Sequence, residues 1–337
     1  MMRKVDLRNT GKYCRSFSVA CGLCAVAVCT AQTDAQFSQY YEAPSFYNPA
    51  AIGLTDFVRI RAGARLQWVG VDNAPQTFAG VADMPVKIAT QRIGVGLMVN
   101  QESQGLYSTL NIDAQLGYKF KKLGGEWIVG LGIGMYDQSF KGSEVYLPDD
   151  DDFHQGSDEG IPTSDIHGTG LDVAAGIYYK HRLFWAGLSC THLNNPTVTM
   201  TAEGTGGSQG VERNFSFTAH RTLYFMGGCN IPVKNTLFEI IPSVMVKSDF
   251  TFTTGEITAR TRYRKFLSFG VGYRWNDAII ATVAAEIKNF YIGYSFDYST
   301  TALGKASSGS HELWLGYSLK LDMGEKNRNR HKSVRLM

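Results

Sequence analysis

The chain has 337 residues, 44% of them hydrophobic and only 19% charged, with 36 glycines, 9 prolines, 41 aromatic residues as 17 Tyr, 19 Phe and 5 Trp, and a formal net charge of +3. So few prolines beside so much apolar residue fit neither collagen nor a disordered chain. One large β domain, two small domains or a membrane barrel remain.

Residues 1–31 read as a secretory signal. Arg3, Lys4, Arg8, Lys12 and Arg15 lead into a weakly polar run over 17–29, which ends at the small residues Thr30 and Ala31. That run is too short for a helix crossing a hydrocarbon core of about 30 Å, so a cleaved signal is expected rather than an anchor, with cleavage after Ala31. Val28 before Cys29 does not suit lipidation. Four of the six cysteines (Cys14, Cys21, Cys24, Cys29) leave with this segment. Cys190 and Cys229 remain, without CxxC spacing, and read as unpaired packing residues; no disulfide framework or metal site is expected.

The charge also partitions. The signal carries five bases against Asp6, and residues 325–337 carry Lys326, Arg328, Arg330, Lys332 and Arg335 against Glu325, so the body between them is acidic and its charge gives no reason to expect nucleic-acid binding.

Residues 32–56 form the next segment. Within it 36–53 is aromatic and proline-containing, precedes the first full strand, and is expected to fold inward as a plug or to cover the periplasmic mouth. Phe37, Gln39, Tyr40, Tyr41, Asn48 and Pro49 are its candidate plug or partner contacts.

From residue 57 the period is two. Val58, Ile60, Ala62, Ala64 and Leu66 alternate with Arg59, Arg61, Gly63 and Arg65; Leu110, Ile112, Ala114 and Leu116 alternate with Asn111, Asp113 and Gln115. Charged and glycine-rich breaks divide the body into about fourteen candidate strands, at 57–70, 75–89, 92–101, 105–119, 126–139, 166–179, 182–193, 211–224, 236–248, 251–264, 266–275, 278–286, 289–299 and 309–320. The stretch 221–235, with Gly227, Gly228 and Pro232, reads as a turn, a bulge or a missed short strand.

An even number of strands returns both ends of the barrel to one side, expected to be periplasmic. The longest connections, at 140–165, 194–210 and 300–308, are odd-numbered, as external loops should be, while most even ones are tight. The fold class is therefore all-β: an antiparallel transmembrane β-barrel over 57–320, preceded by the plug-like segment and followed by a basic periplasmic tail over 321–337. The tail could meet anionic lipid heads or an acidic partner, or serve as a disordered solubilising extension.

Polar faces then line a hydrated lumen. On 251–264, Glu256, Arg260, Arg262 and Arg264 share one face, which is placed inward because three arginines facing lipid are costly. Arg59, Arg61 and Arg65 share the inner face of the first strand, and closure brings them toward Asp297 and Glu312 on the last two. Arg59, Arg61, Arg65, Arg260, Arg262, Asp297 and Glu312 are thus expected to form a lumen network. Six acids within 148–160, near His154, lack EF-hand spacing and read as a solvated, repulsive loop. Nucleophile elbows, metalloprotease motifs and phosphate loops are not found, so neither catalysis nor a cofactor is expected.

Ordered segments then carry a resemblance. Asp34-Ala35-Gln36-Phe37-Ser38-Gln39-Tyr40-Tyr41, Asn48-Pro49-Ala50-Ala51-Ile52-Gly53, Arg65-Leu66-Gln67-Trp68-Val69-Gly70, Ile241-Pro242-Ser243, Gly272-Tyr273-Arg274-Trp275, Gly293-Tyr294-Ser295-Phe296-Asp297-Tyr298 and Gly309-Ser310-His311-Glu312-Leu313 resemble, in that order, the PorP/SprF family of the Bacteroidota type IX secretion and gliding systems. The resemblance implies an integral outer-membrane β-barrel that supports secretion or surface attachment of cargo as a scaffold. Outer-membrane lipids, the type IX machinery or exported cargo, and a periplasmic ring containing a lipoprotein would be its partners. A small-solute porin or transporter is the alternative.

Overall fold

In the computed structural model the described residues are 34–88, 91–145, 162, 164–203 and 212–321. The expected signal, the acidic loop and nearly all of the basic tail lie outside them.

The chain forms strands β1 (Phe57–Leu66), β2 (Gln76–Ile88), β3 (Gln91–Gln104), β4 (Tyr107–Lys122), β5 (Gly125–Lys141), β6 (Asp165–Lys180), β7 (Phe184–Thr191), β8 (Thr197–Glu203), β9 (Glu212–Thr218), β10 (Thr222–Cys229), β11 (Ile231–Pro232), β12 (Phe238–Ser248), β13 (Thr253–Tyr263), β14 (Leu267–Arg274), β15 (Ala278–Ile287), β16 (Phe290–Ser299) and β17 (Ser310–Lys320). Each wall strand pairs antiparallel with its neighbours, and β1 closes on β17 with Phe57 opposite Lys320 and Leu66 opposite His311. The two-residue β11 prolongs the line of β10 along β12, so the wall is a closed barrel of fourteen strands. Closure leaves no unpaired edge, which is what a sheet in lipid requires.

The period-two faces decide which side is which. Leu171 is 63% exposed while its neighbour Asp172 is 2% exposed. Ile60, Phe78, Leu97, Leu116, Leu131, Ile257, Val271, Ile292 and Leu315 likewise point outward and form an apolar girdle. Arg61, Arg65, Asn111, Asp113, Gln115, Glu256 and Asp297 are buried on the inner side. A soluble sandwich would hide the first set and solvate the second.

Fourteen segments are expected and fourteen wall strands are found, but the eighth is not where period alone puts it. Residues 211–224 do not form one strand: β9 pairs with β8 in a separate hairpin, and the wall strand is β10. Part of the expected external loop at 194–210 is therefore β8. The alternation near 215 is genuine, but period two cannot say which partner a strand takes. Val198 and Met200 of β8 pack with Phe215 and Phe217 of β9 against Tyr136 and Ile166, which folds the hairpin against the wall. The first strand ends at Leu66, short of residue 70, because Trp68 (φ 45°) and Gly70 (φ 97°) turn the chain. Cys190 is half-buried, Cys229 is exposed, and the two are not bridged.

Fourteen strands enclose more space than wall side chains fill, since eight already make a packed interior and sixteen leave an aqueous channel. Here residues 34–54 occupy that interior. Phe37, Tyr40 and Tyr47 are at most 1% exposed and pack with Met98, Tyr224, Met226, Met245 and Trp314 from the wall. Phe37 meets Trp314 edge-on at 4.9 Å and Phe46 at 5.3 Å.

Candidate functional site

The segment runs from one rim to the other. At one end Tyr224 donates a hydrogen bond to the Asp34 carboxylate (2.8 Å), and Lys247 donates to the Asp34 carbonyl (2.7 Å). Both positions lie on the half of the barrel nearer the long connections. At the other end Lys180, the last residue of β6, donates to the Leu54 carbonyl (2.8 Å), and the Leu321 N–H donates to Asp56 (2.9 Å). The chain thus traverses the lumen toward the rim of tight turns before β1 climbs back.

Its anchorage centres on Ser38. Glu312 accepts the backbone N–H groups of Ser38 (2.7 Å) and Gln39 (2.9 Å), and the Trp314 indole N–H as well (2.9 Å). The Ser38 hydroxyl donates to Asp297 (2.7 Å) and accepts from Arg65 (3.0 Å) and Arg274 (2.7 Å), which uses its donor and both lone pairs. Arg65 also pairs with Asp297 (2.7 Å) and Glu312 (3.1 Å), while Arg274 pairs with Glu256 (2.9 Å) and Asp297 (3.2 Å). Charges this buried are tolerated only when paired and hydrogen-bonded, and here each partner is shared.

Of the residues expected from sequence, the structure brings Arg65, Asp297, Glu312 and the backbone of Gln39 together in this cluster. Arg59 and Arg61 face inward but do not reach Asp297 or Glu312. Arg59 pairs with Asp83 on β2 (3.0 Å), and Arg61 bonds Ser318 (3.2 Å) and lies over the Tyr291 ring. The reason is depth: along β1 Arg59 and Arg61 sit opposite Ser318 and Gly316, nearer the tight-turn rim, whereas Arg65 sits opposite Glu312. Arg260 engages the segment directly, with its guanidinium 3.3 Å from the centre of the Tyr41 ring and an ion pair to Glu42. Arg262 remains in the wall with Glu239. Arg264 departs from the shared face altogether, in the turn after β13 at φ 50°.

Elsewhere along the segment, Tyr40 donates to Ser243 (2.9 Å) and Phe37 is packed as described. Asn48 donates to the carbonyls of Ile177 (3.2 Å) and Leu188 (3.4 Å), using backbone acceptors on β6 and β7. Pro49 sits over Gly130 of β5, where a Cβ would overlap the Pro49–Ala50 peptide. Glycine at this inner position is therefore a seat for the segment. A Gly130→Val change should lower barrel stability by about 1–3 kcal/mol through overpacking and speed proteolysis of residues 34–54. Gly80→Val, with open space around its Cβ, is the control.

Sequence reasoning passes over Ser38, Arg274, Glu256 and Asp83 as network members, although period two puts Glu256 on an inner face and Ser38 and Arg274 stand in the quoted motifs. It also misses a second cluster in which His192, just after β7, meets Asp172 (2.9 Å) and Asp34 (3.4 Å). Burial disfavours the imidazolium, but these two carboxylates outweigh it and hold the His192 pKa well above its ordinary 6.5. Burial likewise opposes the Asp34 charge, and His192 and Lys247 overcome it, so that pKa falls below its ordinary 3.8.

The signs give a window. The His192 contribution is complete below pH 6.5 and is lost as pH rises through its raised value, whereas the Asp34 contribution is complete above pH 3.8 and is lost as pH falls toward its depressed value. Amide hydrogen exchange near Asp34 should therefore be slowest between pH 3.8 and 6.5, after correction for intrinsic rates, and His192→Gln should remove the alkaline limb.

The sequence profile of the family described as "Type IX secretion system membrane protein PorP/SprF" matches residues 29–317. No curated protein sequence matches the chain. Among solved structures, the Pseudomonas putida toluene transporter TodX is 9% identical over 86% of this chain and 95% of its own, with a TM-score of 0.48. The translocator domain of the autotransporter NalP from Neisseria meningitidis is 10% identical over 79% and 87%, with a TM-score of 0.40.

Proposed function

We propose, from the premise that the chain belongs to the PorP/SprF family of type IX secretion system membrane proteins, that it is a non-enzymatic scaffold of the outer membrane, supporting secretion or surface attachment of cargo. The membrane barrel and the family together fit an outer-membrane component associated with the secretion machinery. One observation carries the finer reading: residues 34–54 fill the lumen and bond to strands around its circumference, so the barrel is built to be occupied rather than open. In this reading the segment is a fixed plug. The apolar girdle holds the barrel in lipid, the rim of long connections faces outward, and that rim and the periplasmic mouth supply partner surfaces.

A small-solute porin would need the plug to leave, against the buried ion pairs at Ser38. The test is purification from native membranes with identification of partners, followed by conductance of the same preparation in planar bilayers. Co-purification of type IX components without open-pore current is expected; steady solute flux in the absence of such partners would overturn the scaffold reading.

A further inference from the structure

A second feature lies at the end of the lumen nearer the long connections and is separate from the Ser38 cluster. A cavity of about 320 Å³ opens beside Asp34, between the inner faces of β3, β4 and β6 and residues 217–220 at the end of the β8–β9 hairpin. Tyr136 stacks parallel to Phe217 at 6.3 Å, which seats the hairpin over the cavity.

Strand register sets the chemistry of the wall. Asn100 on β3 lies opposite Asn111 on β4; because the strands are antiparallel, Glu102 lies two residues from this pair on one side, opposite Thr109, and Asp113 two residues from it on the other, opposite Met98. Asp113 lies opposite Gly134 of β5, which in turn lies opposite Asp172 of β6, so the missing side chain at Gly134 opens one row from carboxylate to carboxylate. Among the described residues the Asp113 carboxylate, 6% exposed, and that of Glu102 take part in no hydrogen bond or ion pair. The side-chain oxygens of Asn100 and Asn111 are buried without a hydrogen-bond partner, although both residues are at least nine-tenths buried.

These groups are acceptors in surplus. Asp34 and Asp172 are already met by His192, and Asp249 accepts the N–H groups of Thr251 and Phe252 (2.9 and 2.5 Å). Five acidic side chains thus line the cavity beside His192 and His220, and Lys247 reaches the same end of the lumen at Asp34. A buried acceptor without a donor costs the desolvation of that group, and a buried carboxylate without a cation costs more. Among the described residues no cluster has the geometry of a metal site.

We propose that this cavity binds an organic cation, an ammonium or guanidinium group, which donates hydrogen bonds to Asp113 and the Asn100–Asn111 pair. Three or more N–H donors on one compact charge match the surplus, whereas anions and neutral acceptors do not. The cation comes either from a free small amine or from a basic side chain of a peptide entering at that rim; both present the same group. The site does not depend on the scaffold reading.

The experiment is titration of the refolded full barrel at pH 7 in detergent, followed by NMR or calorimetry. Butylamine, charged at that pH, is compared with butanol, and with Gly-Lys-Gly blocked at both ends. The expected result is binding of butylamine at least about tenfold tighter than butanol, weakened about tenfold or more by Asp113→Asn and less by Glu102→Gln, whose side chain lies beyond the Asn pair. Both changes keep side-chain size, and thermal unfolding of each variant reports that the barrel is intact. Binding of the blocked tripeptide as well assigns the basic side chain as the source, and binding of butylamine alone assigns the free amine. Equal binding of butanol, no saturable binding of either cation, or indifference to both substitutions in folded protein would overturn the proposal.

Discussion

Deletion of residues 34–53 should convert a barrel without open-pore current into one that conducts ions steadily, with the intact chain as reference. The expectation rests on volume. Fourteen strands lie between the number whose side chains alone fill the interior and the number that leaves a water-filled channel, and here the additional filling comes from Phe37, Tyr40, Phe46, Tyr47 and Ile52. Removing them exposes Arg65, Arg274, Asp297, Glu312 and Glu256 to water, a polar lining suited to ion passage. Burial of each large apolar side chain contributes about 1.5–3 kcal/mol, so the deleted barrel is also expected to be less stable. A second variant therefore guards the result: Ser38→Ala with Glu312→Gln leaves the filling in place but weakens its anchorage. It should show brief, partial openings, while an intact chain that already conducts steadily would end the plug reading.

Arg65→Ala should cost about 3–5 kcal/mol, the usual penalty for leaving buried charge without its partner. Arg65 bonds Asp297, Glu312 and Ser38 at once, so its loss strips compensation from two carboxylates that are each 1% exposed. The paired change Arg65→Ala with Asp297→Asn should recover part of the loss, because it removes an acid along with the base. Arg59→Ala, whose ion pair with Asp83 lies off the cluster, should cost markedly less. Chemical unfolding of the three variants in one detergent checks the order. Equal costs for Arg59→Ala and Arg65→Ala would show that position in the barrel, rather than the shared cluster, sets stability.

The legibility of this protein from its sequence follows the kind of physics involved. Alternation alone is enough to place Leu116 outward and Asp113 inward, because lipid on one side and polar groups on the other impose opposite chemistry on adjacent residues. Closure then puts the first strand beside the last, and Arg65 reaches Glu312 as expected. Period two cannot fix depth, so Arg59 and Arg61 share Arg65's face but miss its partners. Nor can it assign the partner of residues 212–218, which pair with β8 and leave Thr222–Cys229 to the wall.

What the sequence determines by itself is thus the all-β class, the number of wall strands and the face of most residues, each a local consequence of a repeat of two. The composition first read as ambiguous between soluble and membrane classes resolves because its apolar half lies on alternate positions. The tertiary structure alone decides which carboxylates meet which arginines, how Ser38 joins them, and that Asn100, Asn111 and Asp113 line one cavity with donors wanting. The relations at Ser38 join residues more than 200 positions apart, such as Ser38 and Glu312. They depend on strand stagger and on where glycine makes room, neither of which a local pattern encodes.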